Sequence, residues 1–242
     1  MRQLLYALPV DPDAPLPVPV AVRHRLERVL RLARGAPLLL GDGHGQQQAV
    51  AFDGDHFLPQ GPRVRHAAPR IALQLACAVL KGEHFDWMVE KVAEVGAATL
   101  QPLQTAHCVA KATGPGAAQR QIRWQAVSDA AFEQCGSPWR TVVLPPVLLG
   151  GWLQNHATQG PLAVCDERGA PHPLAYVVKR AAEKADPAPL TVLIGPEGGL
   201  SEVEREILQT YDSVRVSLGR AVLRAETAAV AAAVIVATAL DG

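Results

Sequence analysis

Between Leu190 and Ala228 the chain makes two strand-to-helix crossings in immediate succession, a pattern that few architectures accommodate. Leu190 to Ile194 is an apolar, β-favouring run that stops at Gly195-Pro196-Glu197-Gly198-Gly199, where no regular element continues. Ser201 then opens a helix, and Glu204 three positions later completes a Ser-x-x-Glu capping box. The plan repeats at once. Val214 to Leu218 alternates as a strand, Gly219 breaks it, and from Glu226 an Ala-rich helix runs to Leu240. Strand, glycine loop and helix, twice over, predict two loops emerging close together at one edge of a sheet. Loops outside the carboxyl ends of strands are where open α/β sheets bind ligands, and glycine there lets a ligand approach the backbone. The spacing fits neither the Rossmann glycine pattern nor a P-loop. A single such loop can also be a plain tight turn, the weaker of the two readings; the second copy favours a small-ligand site further.

The rest of the carboxy-terminal part alternates in the same way. Strands are expected over Ile71 to Leu80, Thr99 to Leu103, Thr141 to Leu144 and Leu162 to Cys165, with helices to Val95, to Cys135, near Trp152 and to Lys184. Such alternation argues for a mostly parallel sheet covered on both faces. In the first of these helices Phe85, Met88, Val89, Val92 and Ala93 form an apolar stripe, Gly96 sits as a C-cap, and Glu90, Lys91 and Glu94 lie off the stripe. The last helix is apolar nearly all round from Thr227 to Leu240 and too short to span a bilayer, so it is expected to be buried, either in a core or between subunits.

Residues 1–66 read as a separate unit. Prolines at 9, 12, 15, 17 and 19 keep the early chain extended, and Val20 to Arg34 has the period of an amphipathic helix, with Val22, Leu26, Val29, Leu30 and Ala33 on one face. Arg23, Arg25, Arg28, Arg31 and Arg34 crowd the other side with Glu27 as the one acid among them. That ridge is either a solvated face or a phosphate-binding surface for RNA. Leu38 to Leu40, the glycine-rich Gly41 to Gly45, and Gln48 to Phe52 predict a β-hairpin, and Pro59 to Pro69 a linker.

With zero formal net charge, any nucleic-acid contact must come from a local patch of this kind. Cys77, Cys108, Cys135 and Cys165 are widely spaced with no C-x-x-C, which argues against a disulfide framework or a structural zinc site. No charge-free apolar span of about 18 residues occurs, and a cytoplasmic protein is expected.

The paired stretches GPEGGLSEVE and LGRAVLRAETA resemble the carboxy-terminal motifs of the SPOUT methyltransferases, and most closely the RsmE family of 16S ribosomal RNA (uracil-N3)-methyltransferases. Lys81-Gly82, the stretch WMVEKVAEVG, Glu133-Gln134 and HRLERVLRL resemble further landmarks of that family. The resemblance implies a trefoil-knotted α/β domain over 70–242 and a small PUA-like RNA-binding β-barrel over 1–66. It also implies S-adenosylmethionine as cofactor, a homodimer, no metal, and the 16S rRNA of the small ribosomal subunit as substrate. Carried onto this chain, the cofactor-binding residues are Val164, Cys165, Ile194, Gly195, Pro196, Glu197, Gly198, Gly199, Ser217, Leu218, Gly219, Val222 and Leu223. Arg224 is the first choice for a side chain acting on the target base, with Glu226 as its orienter or simply as a favourable charge at a helix N-terminus. Glu197 is a candidate general base. The same resemblance places Glu90, Lys91 and Glu94 near the cofactor or the RNA. Two departures stand out: Arg25 follows His24 where the family often has a second His, and Ala221 occupies the usual position of an Arg, with Arg220 before it.

Overall fold

A computed structural model of the chain describes all residues except 10, 157–159, 167–168, 185–187 and 240–242. The backbone groups into two compact units, Met1–Ala68 with Phe132–Arg140, and Pro69–Ala131 with Thr141–Gly242.

The first unit comprises β1 (Arg2–Leu5), β2 (Leu16–Pro17), α1 (Val20–His24), β3 (Ala36–Gly41), β4 (Gln46–Phe52), β5 (His56–Pro59) and β6 (Val64–Arg65). Its sheet runs β1-β3-β4-β5-β2 with β6 also on β4; β1 and β3 are parallel and the other pairs antiparallel. The expected hairpin is the β3–β4 pair, and alternation along it sends Leu38, Leu40, Val50 and Phe52 into a core with Leu4, Leu26 and Phe57. The unit also takes in Phe132–Arg140, which the expected domain over 1–66 did not include. Buried amides tie that segment down. Gln3 Nε2 donates to the carbonyls of Phe132 (3.2 Å) and Ser137 (2.9 Å), and Gln47 Nε2 donates to Gln3 Oε1 (2.6 Å) and to the Gly136 carbonyl (3.0 Å).

Two sequence expectations fail here. The stretch from Val20 to Arg34 is not one amphipathic helix: α1 is followed by a π-helical stretch, Arg25–Val29, and Arg31 takes a positive φ of 52°. Of the expected apolar face only Leu26 is fully buried; Val22 and Leu30 pack partly on the core, while Val29 and Ala33 are exposed, so the covered surface is too small to hold a longer helix. The arginine ridge is therefore broken. Arg23 pairs with Asp55 at 2.8 Å, Arg25 holds both carboxylate oxygens of Glu133, and Arg31 and Arg34 lie beyond the helical residues. The expected linker, Pro59 to Pro69, contains β6.

The second unit comprises β7 (Leu73–Ala78), α2 (His84–Val95), β8 (Thr99–Gln104), α3 (Ala117–Cys135) as far as Ala131, β9 (Val142–Val143), β10 (Val147–Leu148), α4 (Leu149–His156), β11 (Leu162–Cys165), β12 (His172–Pro173), α5 (Leu174–Ala182), β13 (Leu190–Ile194), α6 (Glu202–Gln209), β14 (Ser213–Ser217) and α7 (Ala225–Thr238). The eight strands pair in parallel throughout, in the order β10-β8-β7-β13-β11-β14-β12 with β9 on β8. One face packs on α2, α5 and α7, and the other on α4 and α6. On α2 the buried residues are Phe85, Met88, Val89, Val92 and Ala93, and Gly96 closes the helix at φ 95°. Lys91 bonds both Glu90 and Glu94 at 2.7 Å on the outer side.

The apolar sequence of α7 is not buried all round. Ala228, Ala229, Ala232, Ala233 and Val236 face the core beside α2, while Val234 on the outer side is 42% exposed. The expected last helical residue, Leu240, lies outside the described residues.

Gly45 stands at φ 92°, and a Cβ added there would lie 2.5 Å from Trp139 Cζ2. Gly45→Ala should therefore destabilise the first unit by about 2 kcal/mol or more and lower the denaturation midpoint accordingly. An unchanged midpoint would show that the Trp139 ring does not pack on this backbone.

Candidate functional site

Because all strands of the second unit are parallel, the chain leaves β11, β13 and β14 at the same edge of the sheet. The two crossings read from the sequence are not direct neighbours: β11 lies between β13 and β14. Three loops thus converge, and they enclose a cavity of about 540 Å³. Cys165 lines it from β11, Ile194 to Leu200 from the loop after β13, and Val216 to Ala225 from the loop after β14, with Arg205 of α6 and Ala228 of α7.

The expected cofactor residues Cys165, Ile194, Gly195, Pro196, Glu197, Gly198, Gly199, Ser217, Leu218, Gly219, Val222 and Leu223 all line this cavity. Val164 does not; it is buried on the opposite side of its strand among Leu193, Leu200 and Leu208, as the alternation of side chains along a strand requires. Arg224 lines the cavity, exposed, as the N-cap residue of α7. Glu226 is 8% exposed and lies outside the lining. Its carboxylate accepts from His84 Nδ1 of α2 at 3.1 Å, so its partner among the described residues is His84 and not Arg224. At the second position of α7 it also supplies negative charge to the helix N-terminus. The sequence held no sign of the His84 contact, which joins residues 142 positions apart.

Other lining residues escaped the sequence reading. Asp166, directly after β11, is nearly buried and is held between Arg205 Nη1 (3.6 Å) and Arg215 Nη1 (3.1 Å), a charge cluster assembled from three elements. Leu200 is another such residue; Arg220 and Ala221, already singled out in the sequence, line the cavity too, and the residue at the family's usual Arg position contributes no side-chain donor.

The loop after β13 is built as its residues dictate. Gly199 N donates to the Pro196 carbonyl at 2.8 Å, closing a turn that carries Gly199 at φ 68°. Ser201 and Glu204 form the predicted capping box, with Glu204 N donating to Ser201 Oγ (3.3 Å) and Ser201 N to Glu204 Oε2 (2.8 Å). The second carboxylate oxygen, Oε1, accepts from Ala106 N at 2.8 Å. The glycines serve the loop itself more than the cavity. A Cβ on Gly195 would meet Leu200 Cγ at 3.3 Å, and one on Gly198 would meet His107 Cβ at 3.2 Å, whereas at Gly219 the space is open and the requirement is φ 144°.

Burial pushes the Cys165 thiol up to about 12, and raises that of Cys77 further, with Cys165 nearby as a second cause. Neither is a thiolate nucleophile at neutral pH. Among the described residues no group of three His, Cys, Asp or Glu side chains is placed to hold a metal, and no helix is long and apolar enough to cross a membrane. The chemistry on offer is a glycine-rich pocket with three guanidinium side chains on its wall, Arg205 held by Asp166, Arg220 on the loop after β14, and Arg224 at the start of α7.

Residues 67–237 match the RNA methyltransferase domain family. The chain is 29% identical over 235 residues to ribosomal RNA small subunit methyltransferase E of Synechocystis sp., covering 93% of this chain and 75% of that protein. It is 30% identical over 212 residues to the protein of the same name from Mycobacterium bovis, covering 84% and 79%. Among solved structures, a putative methyltransferase from Legionella pneumophila, in complex with the bound cofactor SAM, superposes with a TM-score of 0.82 at 25% identity, over 98% of this chain and 96% of that one.

Deprotonation sets the reactivity of the cysteines. Cys165 and Cys77, held as thiols by burial, should resist alkylation by iodoacetamide at pH 8, while exposed Cys135 reacts first. Peptide mapping of the alkylated protein reads the order, and rapid labelling of Cys165 would contradict its environment.

Proposed function

This chain belongs to the RNA methyltransferase family of ribosomal RNA small subunit methyltransferase E, and from that footing we propose that it methylates N3 of a uridine in the 16S ribosomal RNA of the small subunit, with S-adenosylmethionine as methyl donor. The observation that carries the reading is the convergence of three parallel-strand loops on one glycine-rich cavity. Its volume, about 540 Å³, is within the range of small-molecule sites. The residues fit the cofactor. Ile194 to Leu200 and Ser217 to Leu223 would hold it, with Cys165 as a neutral, apolar wall. When bound, S-adenosylmethionine supplies an electrophilic methyl group on a sulfonium.

The protein's share of the reaction is alignment and charge. Uracil N3 carries a proton, and its loss spreads negative charge over N3 and the two flanking carbonyl oxygens. Arg224, exposed on the cavity wall, offers fixed guanidinium donors to that developing anion and orients the base. Holding base and cofactor side by side removes the entropic cost of their encounter. Glu197, exposed on the cavity loop, is the candidate acceptor for the N3 proton.

The strand order β13-β11-β14, in which an earlier strand lies between two later ones, supports a SPOUT-type trefoil-knotted domain. The six-stranded sheet of the first unit supports a PUA-like RNA-binding barrel, with exposed Arg28 and Arg31 as RNA contacts and Arg23 and Arg25 engaged instead in ion pairs. The outward Val234 on α7, with Trp87 on α2 44% exposed, supports a homodimer built on that face. A cytoplasmic location follows from the substrate.

Incubation with labelled S-adenosylmethionine and small ribosomal subunits lacking uracil-N3 methylation, followed by mass spectrometry of the nucleosides, should yield N3-methyluridine. Cofactor binding without transfer would move the target elsewhere. Arg224→Ala should bind cofactor normally yet lose about 100-fold or more in kcat, as removal of one anion-stabilising donor does in other enzymes; unchanged turnover would remove Arg224 from the mechanism. Gly198→Val should abolish cofactor binding, because its side chain drives against His107 and deforms the loop; retained binding would refute the pocket assignment.

A further inference from the structure

The loop that follows β8 is fastened to the glycine loop after β13. Thr105 and Cys108 close a turn, with Cys108 N donating to the Thr105 carbonyl at 3.2 Å, and this turn presents His107. The Nδ1 atom of His107 stands 3.1 Å from the Gly198 carbonyl and 3.0 Å from the Gly199 carbonyl. Both partners are acceptors, so Nδ1 carries the proton and shares it between them. Beside it, Ala106 N donates to Glu204 Oε1, so two consecutive residues of one turn grip both ends of the segment from Gly198 to Glu204.

A peptide plane carries its C=O and its N–H in opposite directions. Drawing the Gly199 carbonyl out to His107 therefore turns the following N–H, that of Leu200, to the far side of the chain. There Leu200 N lies 3.6 Å from where a Gly195 Cβ would stand. Gly195, Gly199 and Leu200 line the cavity and His107 does not. The other amide of the pair, Gly199 N–H, is already used by Pro196 within the turn.

We propose that His107 is a positioning residue for the cofactor: by holding the Gly198 and Gly199 carbonyls outward it presents the Leu200 N–H to the cavity, as a donor to an acceptor atom of S-adenosylmethionine. This rests on the reading of the cavity as the S-adenosylmethionine site. His107 touches neither cofactor nor base, so its effect falls on cofactor affinity and KM and not on the methyl-transfer step.

The test is calorimetric binding of S-adenosylmethionine to the full chain, with cofactor KM and kcat, for the wild type, His107→Ala and His107→Asn. Asn places an amide N–H donor at the same number of bonds from the backbone as His Nδ1. His107→Ala should weaken binding about fivefold to tenfold and raise KM in parallel, while His107→Asn should return both to within about twofold of wild type. Wild-type affinity in His107→Ala overturns the inference, and equal loss in both variants overturns it too, by showing that the ring acts through packing alone. If the wild type itself fails to bind S-adenosylmethionine, the reading of the cavity falls and the inference with it. Thermal midpoints of the variants separate these outcomes from a general loss of fold.

Discussion

Parallel strands can be joined only by connections that return across a face of the sheet, so every strand ends at the same edge. In the second unit this one constraint places the residues after Cys165, Ile194 and Ser217 together, although they are drawn from segments well separated in sequence. The rest of the site depends on it. The three loops carry few side chains able to react, and what they share is backbone: amides and carbonyls freed where the strands stop. Such a cavity suits recognition of a nucleoside-like molecule better than acid–base chemistry on its own, which is consistent with a reaction whose difficult electronic work is done by the cofactor.

Much of this was legible in the residues. The capping box at Ser201 and Glu204, the stripe from Phe85 to Ala93 with Gly96 after it, and the strand Leu190–Ile194 all appear where local chemistry put them. In each case propensity, patterning and capping agree, and tertiary packing has nothing to override. The stretch from Val20 to Arg34 is the opposite case. It has helical period but buries only Leu26 fully and leaves Val29 and Ala33 exposed, and so small a covered face does not sustain the helix to Arg34. What the sequence could not convey was pairing at a distance: β11 between β13 and β14, Asp166 between two arginines, or His84 on Glu226. These depend on strand order, which no local pattern encodes.

The glycines of the loop after β13 read in the sequence as places where a ligand can come close to the backbone. In the fold, the space beside Gly195 is filled by Leu200 and that beside Gly198 by His107, so these positions are small in order that the loop can pack on its neighbours. Glu204 shows the same economy, since one carboxylate caps α6 through Ser201 and fastens the neighbouring turn through Ala106. The loop owes its shape to contacts behind it, leaving its front free.

The inclusion of Phe132–Arg140 in the first unit bears on the order in which the protein can be made. The residues that satisfy Gln3 and Gln47 are synthesised long after Ala68, with β7, α2 and β8 emerging in between. At ordinary rates of translation that interval is on the order of ten seconds. During it Gln47 can reach Gln3, but neither amide has its carbonyl partners from Phe132–Arg140, and both are open to water or to a chaperone. Its completion is thus a late event on the ribosome, and an amino-terminal fragment cut at the apparent domain boundary would stay in that unfinished state.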